Sequence, residues 1–178
     1  EVGIGVAAVA INPDTSELPD YVPVEGAWAV LKDVTVRRNW VRQSSGGTYG
    51  GGMVLGGVPV PDGEDNVVEG AVVGDNDVRN NTGYGIVLLH VDHSKVVKNR
   101  VMQNTVDGIA IDLESLNNQV ERNNVRGSDR YGISLMGSSS RNTISRNTAF
   151  TSGQFDLYWD FSGTQNRWWG PTSGSVCL

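Results

Sequence analysis

From residue 73 to residue 150 the chain repeats one order of apolar and polar positions three times and begins a fourth copy. Asn76, Asn99, Asn123 and Asn147 are spaced by 23, 24 and 24 residues. Three residues before each stands Val73, Val96, Val120 or Ile144, and two residues after each stands Val78, Val101, Val125 or Ala149. Nine residues after the first three comes Gly-Ile, at Gly85-Ile86, Gly108-Ile109 and Gly132-Ile133. Between these marks the apolar residues alternate, as in Ile109-Ala110-Ile111 and Ile133-Ser134-Leu135. A period of two is that of a strand with one buried face. No stretch keeps apolar residues at helical spacing long enough to form an amphipathic helix.

A fixed period of this length marks a solenoid, in which each strand pairs in parallel with its copy one coil along the axis, about 4.8 Å away. The chain is therefore predicted to be all-β: a single-stranded parallel β-helix of about six coils. Ile86, Ile109, Ile133 and Leu157 should stack as one inward row. Val78, Val101, Val125 and Ala149 should form a second, and Val96, Val120, Ile144 and Trp168 a third. The repeated Asn is expected at a corner, where it would adopt the left-handed conformation and bond to the Asn above and below. Asn118, Asn142 and Asn166 form a parallel series with a period of 24.

The same pattern divides the chain. Residues 1–25 read as an N-terminal strand and a Pro-punctuated linker, and residues 26–170 as the solenoid, with 26–31 in the Gly-Ile strand position of its first coil. Residues 171–178 read as a tail. Asn39 and Asn76 are 37 residues apart, and the excess over one period is assigned to protruding loops at 44–52 and 58–66. A stack has two open ends. The strand within residues 2–11 would either fold back as a cap or add to a neighbouring chain and build head-to-tail filaments.

The motif Asn-x-[Ile/Val]-x-x-Asn-x-[Val/Ala] followed by Gly-Ile resembles the right-handed parallel β-helix repeat shared by pectate-lyase-like enzymes and alginate epimerases. The resemblance covers roughly residues 26–170. It implies a right-handed coil, an extracellular or cell-surface location and a carbohydrate partner. Where this chain reads Tyr84-Gly85-Ile86-Val87-Leu88, an alginate epimerase would carry a Tyr-Gly-Phe-Asp-Pro-His-like motif, so that catalytic core is absent.

Composition narrows the partners. Gly accounts for 23 of 178 residues, which suits short strands and tight turns. The net charge of −6 argues against nucleic acid. It is unevenly spread: residues 1–77 carry 12 acidic and 4 basic side chains, whereas 78–178 carry 8 and 10. No apolar run is long enough to span a bilayer, and the lone Cys177 excludes an intramolecular disulfide.

Candidate chemistry falls in four places. By alternation, Trp28, Val87, Leu89, Ala110, Asp112, Ser134, Met136, Tyr158 and Asp160 should face outward on the strand that carries catalysis in enzymes of this fold. Asp112 and Asp160, two coils apart, are the candidate carboxylate pair for a hydrolase, and His90, in a cluster with Asp92 and His93, is a third catalytic candidate whose parity with inward Ile86 and Leu88 favours a hydrogen-bonded rim or core histidine. The acidic stretch with Asp62, Glu64 and Asp65 offers hard oxygen ligands for Ca²⁺ without EF-hand spacing, or is a solvated loop; no other cofactor is expected. The most regular polar feature is basic. Just before each Asn stand Arg38, Asp75, Lys98, Arg122 and Arg146, and three after each stand Arg42, Arg79, Met102, Arg126 and Phe150. Two such rows suit the carboxylates of an acidic polysaccharide, so Arg79, Lys98, Arg122, Arg126 and Arg146, with Trp28 and Tyr158, are the glycan-binding candidates. The function read from these residues is an extracellular structural or polysaccharide-binding module. A lyase, epimerase or hydrolase acting on uronate chains is the alternative, and a filament subunit the second.

Overall fold

The computed structural model describes residues 4–7, 30–44, 51–57, 67–170 and 172–178. All the regular structure among them is strand, and every ladder is parallel. Four sheets run along the stack. The long sheet joins Ile4–Ala7, Gly51–Gly56, Tyr84–Leu89, Ile109–Asp112, Tyr131–Leu135, Phe155–Trp159 and Val176–Cys177. A short sheet holds Val30–Lys32, Val67–Glu69 and Val91–Asp92. The third sheet runs from Thr35–Arg37 to Arg167–Trp169 and the fourth from Trp40–Arg42 to Thr172–Ser173, each with six strands. The chain visits the sheets in turn within each coil, as a right-handed parallel β-helix does.

Register confirms the inward rows. Ile86, Ile109, Ile133 and Leu157 are paired in succession and fully buried, as are Val78, Val101, Val125 and Ala149. Val96, Val120, Ile144 and Trp168 form the third row, with Trp168 partly buried at its end. Burying an aliphatic side chain contributes about 1.5–3 kcal/mol, so these rows hold the coils together.

The Asn residues stack as expected, but in a different backbone state. Asn99 donates from its backbone N and from Nδ2 to Oδ1 of Asn123, at 2.9 and 3.0 Å, and Nδ2 also reaches the Val73 carbonyl. Asn39, Asn76, Asn123 and Asn147 extend the same ladder. Asn118, Asn142 and Asn166 form the second. The left-handed corner is taken by the residue before: Arg38, Asp75, Lys98, Arg122 and Arg146 all have φ between 53° and 59°. The ladder Asn keeps its side chain inside, and the preceding long polar side chain accepts the unfavourable turn, at roughly 1–2 kcal/mol.

The Gly of Gly-Ile has a steric cause. A Cβ on Gly85 would lie 2.5 Å from Val101 Cγ1 and 2.5 Å from the Gly108 carbonyl oxygen. It would also lie 2.7 Å from Asn104 Nδ2, so only glycine passes that corner.

Three segment readings change. Residues 30–32 of the first coil pair within the short sheet, and the long sheet begins instead with Ile4–Ala7 against Gly51–Gly56. Residues 51 and 52, assigned to a loop, belong to that strand, and the rest of 44–52 beyond Ser44 and all of 58–66 lie outside the described residues. Residues 172–177, read as tail, add two rungs: Thr172–Ser173 on Thr148–Phe150 and Val176–Cys177 on Phe155–Trp159. These rungs lack the Asn signal, which is why the period could not reveal them.

Candidate functional site

The two basic rows are in register on adjacent faces. In the fourth sheet Arg42, Arg79, Met102, Arg126 and Phe150 follow one another, with Arg100 in the neighbouring row beside Asp77 and Asn124. The row has two halves. The carboxylates of Asp75 and Asp77 both take cations: Asp77 holds the Arg79 guanidinium of its own coil through both of its oxygens, and Asp75 lies 3.3 Å from Arg37 of the preceding coil. The bond from Arg79 holds the Asp77 carboxyl below its ordinary range. Arg79 is thus bound within the protein, its charge matched by Asp77.

The next three coils differ. Residues 95–102, 119–126 and 143–150 carry Lys95, Lys98, Arg100, Arg122, Arg126 and Arg146 against a single carboxylate, Glu121. All six cations are exposed, and none is ion-paired among the described residues. Two are held over aromatic rings, Arg126 at 5.8 Å from the Phe150 centroid and Arg146 at 4.7 Å from that of Trp169. These contacts restrict the guanidinium groups without neutralising them. Coils are about 4.8 Å apart, so the charges form a ladder running along the axis.

The face that carries catalysis in enzymes of this fold is largely closed. Val87, Ala110 and Ser134 were expected outside but are fully buried, and Leu89 nearly so. Tyr84, Val54, Val106 and Leu113 pack with Val87, Leu89 and Ala110 into a second apolar cluster. Asp112 and Asp160 are each engaged by turn groups. Asp112 Oδ1 accepts from the Leu113 amide at 2.8 Å. Asp160 accepts from Gly137 N at 3.0 Å and from Ser162 N and Oγ at 2.8 and 2.6 Å. Gly137 lies between them, and each carboxylate holds a turn.

His90 is buried, with Nδ1 3.2 Å from the Leu113 carbonyl oxygen. It lines a cleft of about 220 Å³ with Val67, Val91, Asp92, Glu114 and Leu116. His93 is exposed, its Nδ1 3.0 Å from Asp92 Oδ1. Among the described residues no three His, Cys, Asp or Glu side chains come together to hold a metal ion. Trp28, Asp62, Glu64 and Asp65 lie outside the described residues.

One cluster escaped the sequence reading. Asp107 is fully buried, and Arg130 meets it in a fork, Nε to Oδ1 at 2.7 Å and Nη2 to Oδ2 at 2.8 Å. Tyr131 N and Ser134 Oγ also donate to it, at 3.2 and 2.5 Å. Arg130 Nη2 reaches Tyr84 Oη at 3.2 Å. Tyr131 stacks on Tyr158 with centroids 4.0 Å apart and planes within 5°, and Phe155 stands 6.4 Å from Tyr131. The signal was present: the residue before each Gly-Ile reads Tyr84, Asp107, Tyr131. A carboxylate between two rings in one column breaks the apolar pattern and calls for a cation.

A family profile described as periplasmic copper-binding protein (NosD) matches residues 32–176. No curated protein matches. Among solved structures, the periplasmic alginate epimerase AlgG aligns with a TM-score of 0.60 at 16% identity, over 82% of this chain and 42% of that one. A double mutant of that enzyme gives the same score over 82% and 43%, and a single mutant gives 0.59 at 15% identity over 84% and 47%. At such identity the likeness is one of fold. The chain spans less than half the length of these structures.

Proposed function

The chain belongs to the family of periplasmic copper-binding proteins (NosD), and we propose that it is a non-catalytic β-solenoid module outside the cytoplasm that binds an acidic polysaccharide along its cation-bearing coils. One observation carries the reading: six exposed cations against one carboxylate within residues 95–102, 119–126 and 143–150, the third- and fourth-sheet portions of three successive coils, in a protein whose net charge is −6. An extended polyanion laid along the axis would meet a new cation at each coil, and Arg forks would pair with its carboxylates. The left-handed residues Lys98, Arg122 and Arg146 project from a corner held rigid by the Asn ladder beneath.

No step is assigned to copper. Copper favours thiolate, thioether and imidazole donors, and the described ones do not converge. His90 is turned to a backbone carbonyl, His93 to Asp92, and Cys177 lies in the last strand.

Affinity electrophoresis with polygalacturonate and alginate, at low and physiological salt, tests the reading. Replacing Lys98, Arg122 and Arg146 together by Asn, which tolerates the left-handed turn, should weaken binding about tenfold or more, since exposed charge pairs are each worth about 0.2–1 kcal/mol. Binding that is unaffected by both salt and these substitutions would overturn it. New ultraviolet absorbance from unsaturated products would favour the lyase alternative.

A further inference from the structure

The cluster around Arg130 has no part in the binding of an acidic chain, and its chemistry points elsewhere. Asp107 accepts from four donors, two of them on Arg130, so the guanidinium charge is cancelled at contact and its plane is fixed. That plane is shared with aromatic rings, 4.9 Å from the Tyr131 centroid and 5.8 Å from that of Tyr84. Tyr131 in turn stacks on Tyr158, and Phe155 stands 6.3 Å from Tyr158 with planes within 17°. Arg130, Tyr131, Phe155 and Tyr158 are all partly exposed, while the buried Asp107 carboxylate holds Arg130 and the Tyr131 amide. Burial raises the Tyr131 phenol above its ordinary pKa, and the neighbouring Tyr158 hydroxyl adds to this, so it stays a neutral hydrogen-bonding group.

The surface formed by these side chains is therefore aromatic, edged with phenol hydroxyls and the partly exposed guanidinium of Arg130, whose charge Asp107 matches. An acidic sugar gains little here, because the cation already has its carboxylate and a second one would be held close to Asp107. A neutral sugar fits both halves: its apolar C–H face lies against the rings, and its hydroxyls exchange hydrogen bonds with Tyr131, Tyr158 and Arg130. We propose that Arg130, Tyr131, Phe155 and Tyr158 form a second glycan site, on the long sheet, that takes neutral oligosaccharide. The site stands apart from the cations of the third and fourth sheets, so the two readings succeed or fail separately.

Isothermal titration with cellohexaose, xylohexaose and mannohexaose tests the proposal. At least one should bind, with an affinity that added salt leaves unchanged. Tyr158→Ala should weaken it at least tenfold, and Tyr158→Phe should keep part of it, since the ring remains and the hydroxyl goes. The combined Lys98, Arg122 and Arg146 substitutions should leave it intact. Circular dichroism checks that each variant is folded, and Phe155→Ala serves as a second probe should Tyr158→Ala fail to fold. The proposal is overturned if none of the three binds, if binding survives loss of the rings, or if it falls with salt alongside binding of the acidic chain.

Discussion

Asn81 donates its side-chain amide to Oδ1 of Asn104 at 2.9 Å, and there this third ladder stops. Ser128 and Ser152 occupy the next two coils at the same corner, and Asn104 Nδ2, Ser128 Oγ and Ser152 Oγ are buried without a protein partner. A serine hydroxyl is too short to span the coil spacing as an Asn amide does. Ser128→Asn should extend the ladder, accepting from Asn104 and reaching toward Ser152. Gly108 leaves the room, as Gly85 does beside Asn104. The expected gain is about 1 kcal/mol, which raises the melting temperature by about 2–4 °C for a chain of this size. A thermal melt that is unchanged or lower would show that the corner cannot take the longer side chain.

Glycine should be indispensable at one set of positions and replaceable at another. A Cβ on Gly108 would lie 2.2 Å from Val125 Cγ1 and 2.6 Å from the Gly132 carbonyl oxygen, so coil spacing itself would have to change. On Gly56 the nearest atom would be Leu89 Cβ at 3.8 Å, an ordinary contact. Gly108→Ala is expected to cost about 1–3 kcal/mol or more, and Gly56→Ala to be neutral or slightly stabilising. Urea unfolding of the two variants side by side reads the difference.

These two corners show how much of the molecule was legible in the sequence. Periodicity finds whatever recurs in every coil, so the inward rows, two Asn ladders and the parallel register could be read directly. It misses what occurs once. The bond between Asp107 and Arg130 joins residues 23 apart, one coil, but neither has a like partner in the next coil. The final rungs at Thr172–Ser173 and Val176–Cys177 were missed because no Asn announces them. Alternation placed Val87 and Ala110 on the outer face correctly, but it carries no information on what packs over that face.

Asp156 ties those final rungs down, and its titration gives them a pH dependence. Burial alone would raise its pKa, but the amides of Ser152, Ser175 and Gly174, at 2.9, 2.9 and 3.0 Å, outweigh this and the net shift is downward. A carboxyl whose folded pKa lies below its unfolded value stabilises fully above the unfolded value, near 3.8, and the contribution is lost as pH falls through the folded one. Asp156→Asn should lower the melting temperature at neutral pH and flatten the acid limb of the stability profile. It should also speed maleimide labelling of Cys177, whose strand is anchored through Gly174 and Ser175. Labelling at the unaltered rate would mean that the last strand is held by other contacts.

The N-terminal strand decides how the other end of the stack is closed. Ile4–Ala7 pairs in parallel with Met53–Gly56 of the same chain, Ile4 opposite Met53 and Ala7 opposite Gly56. Ile4–Ala7 is thus the terminal rung of the long sheet and covers the edge of Gly51–Gly56 within the same chain. Met53 and Leu55, on the capped strand, are almost fully buried. Deleting residues 1–12 removes the backbone partners of Met53–Gly56 and leaves that edge open to strand addition. The truncated chain is therefore expected to melt at a lower temperature and to aggregate at concentrations where the intact chain is monomeric by light scattering. Blocking the edge should reverse this: Val54→Lys, on the outer face of the same strand, should restore solubility to the truncated chain without restoring its melting temperature. A truncated chain that stays monomeric and equally stable would show that the Ile4–Ala7 pairing contributes nothing to closing the stack.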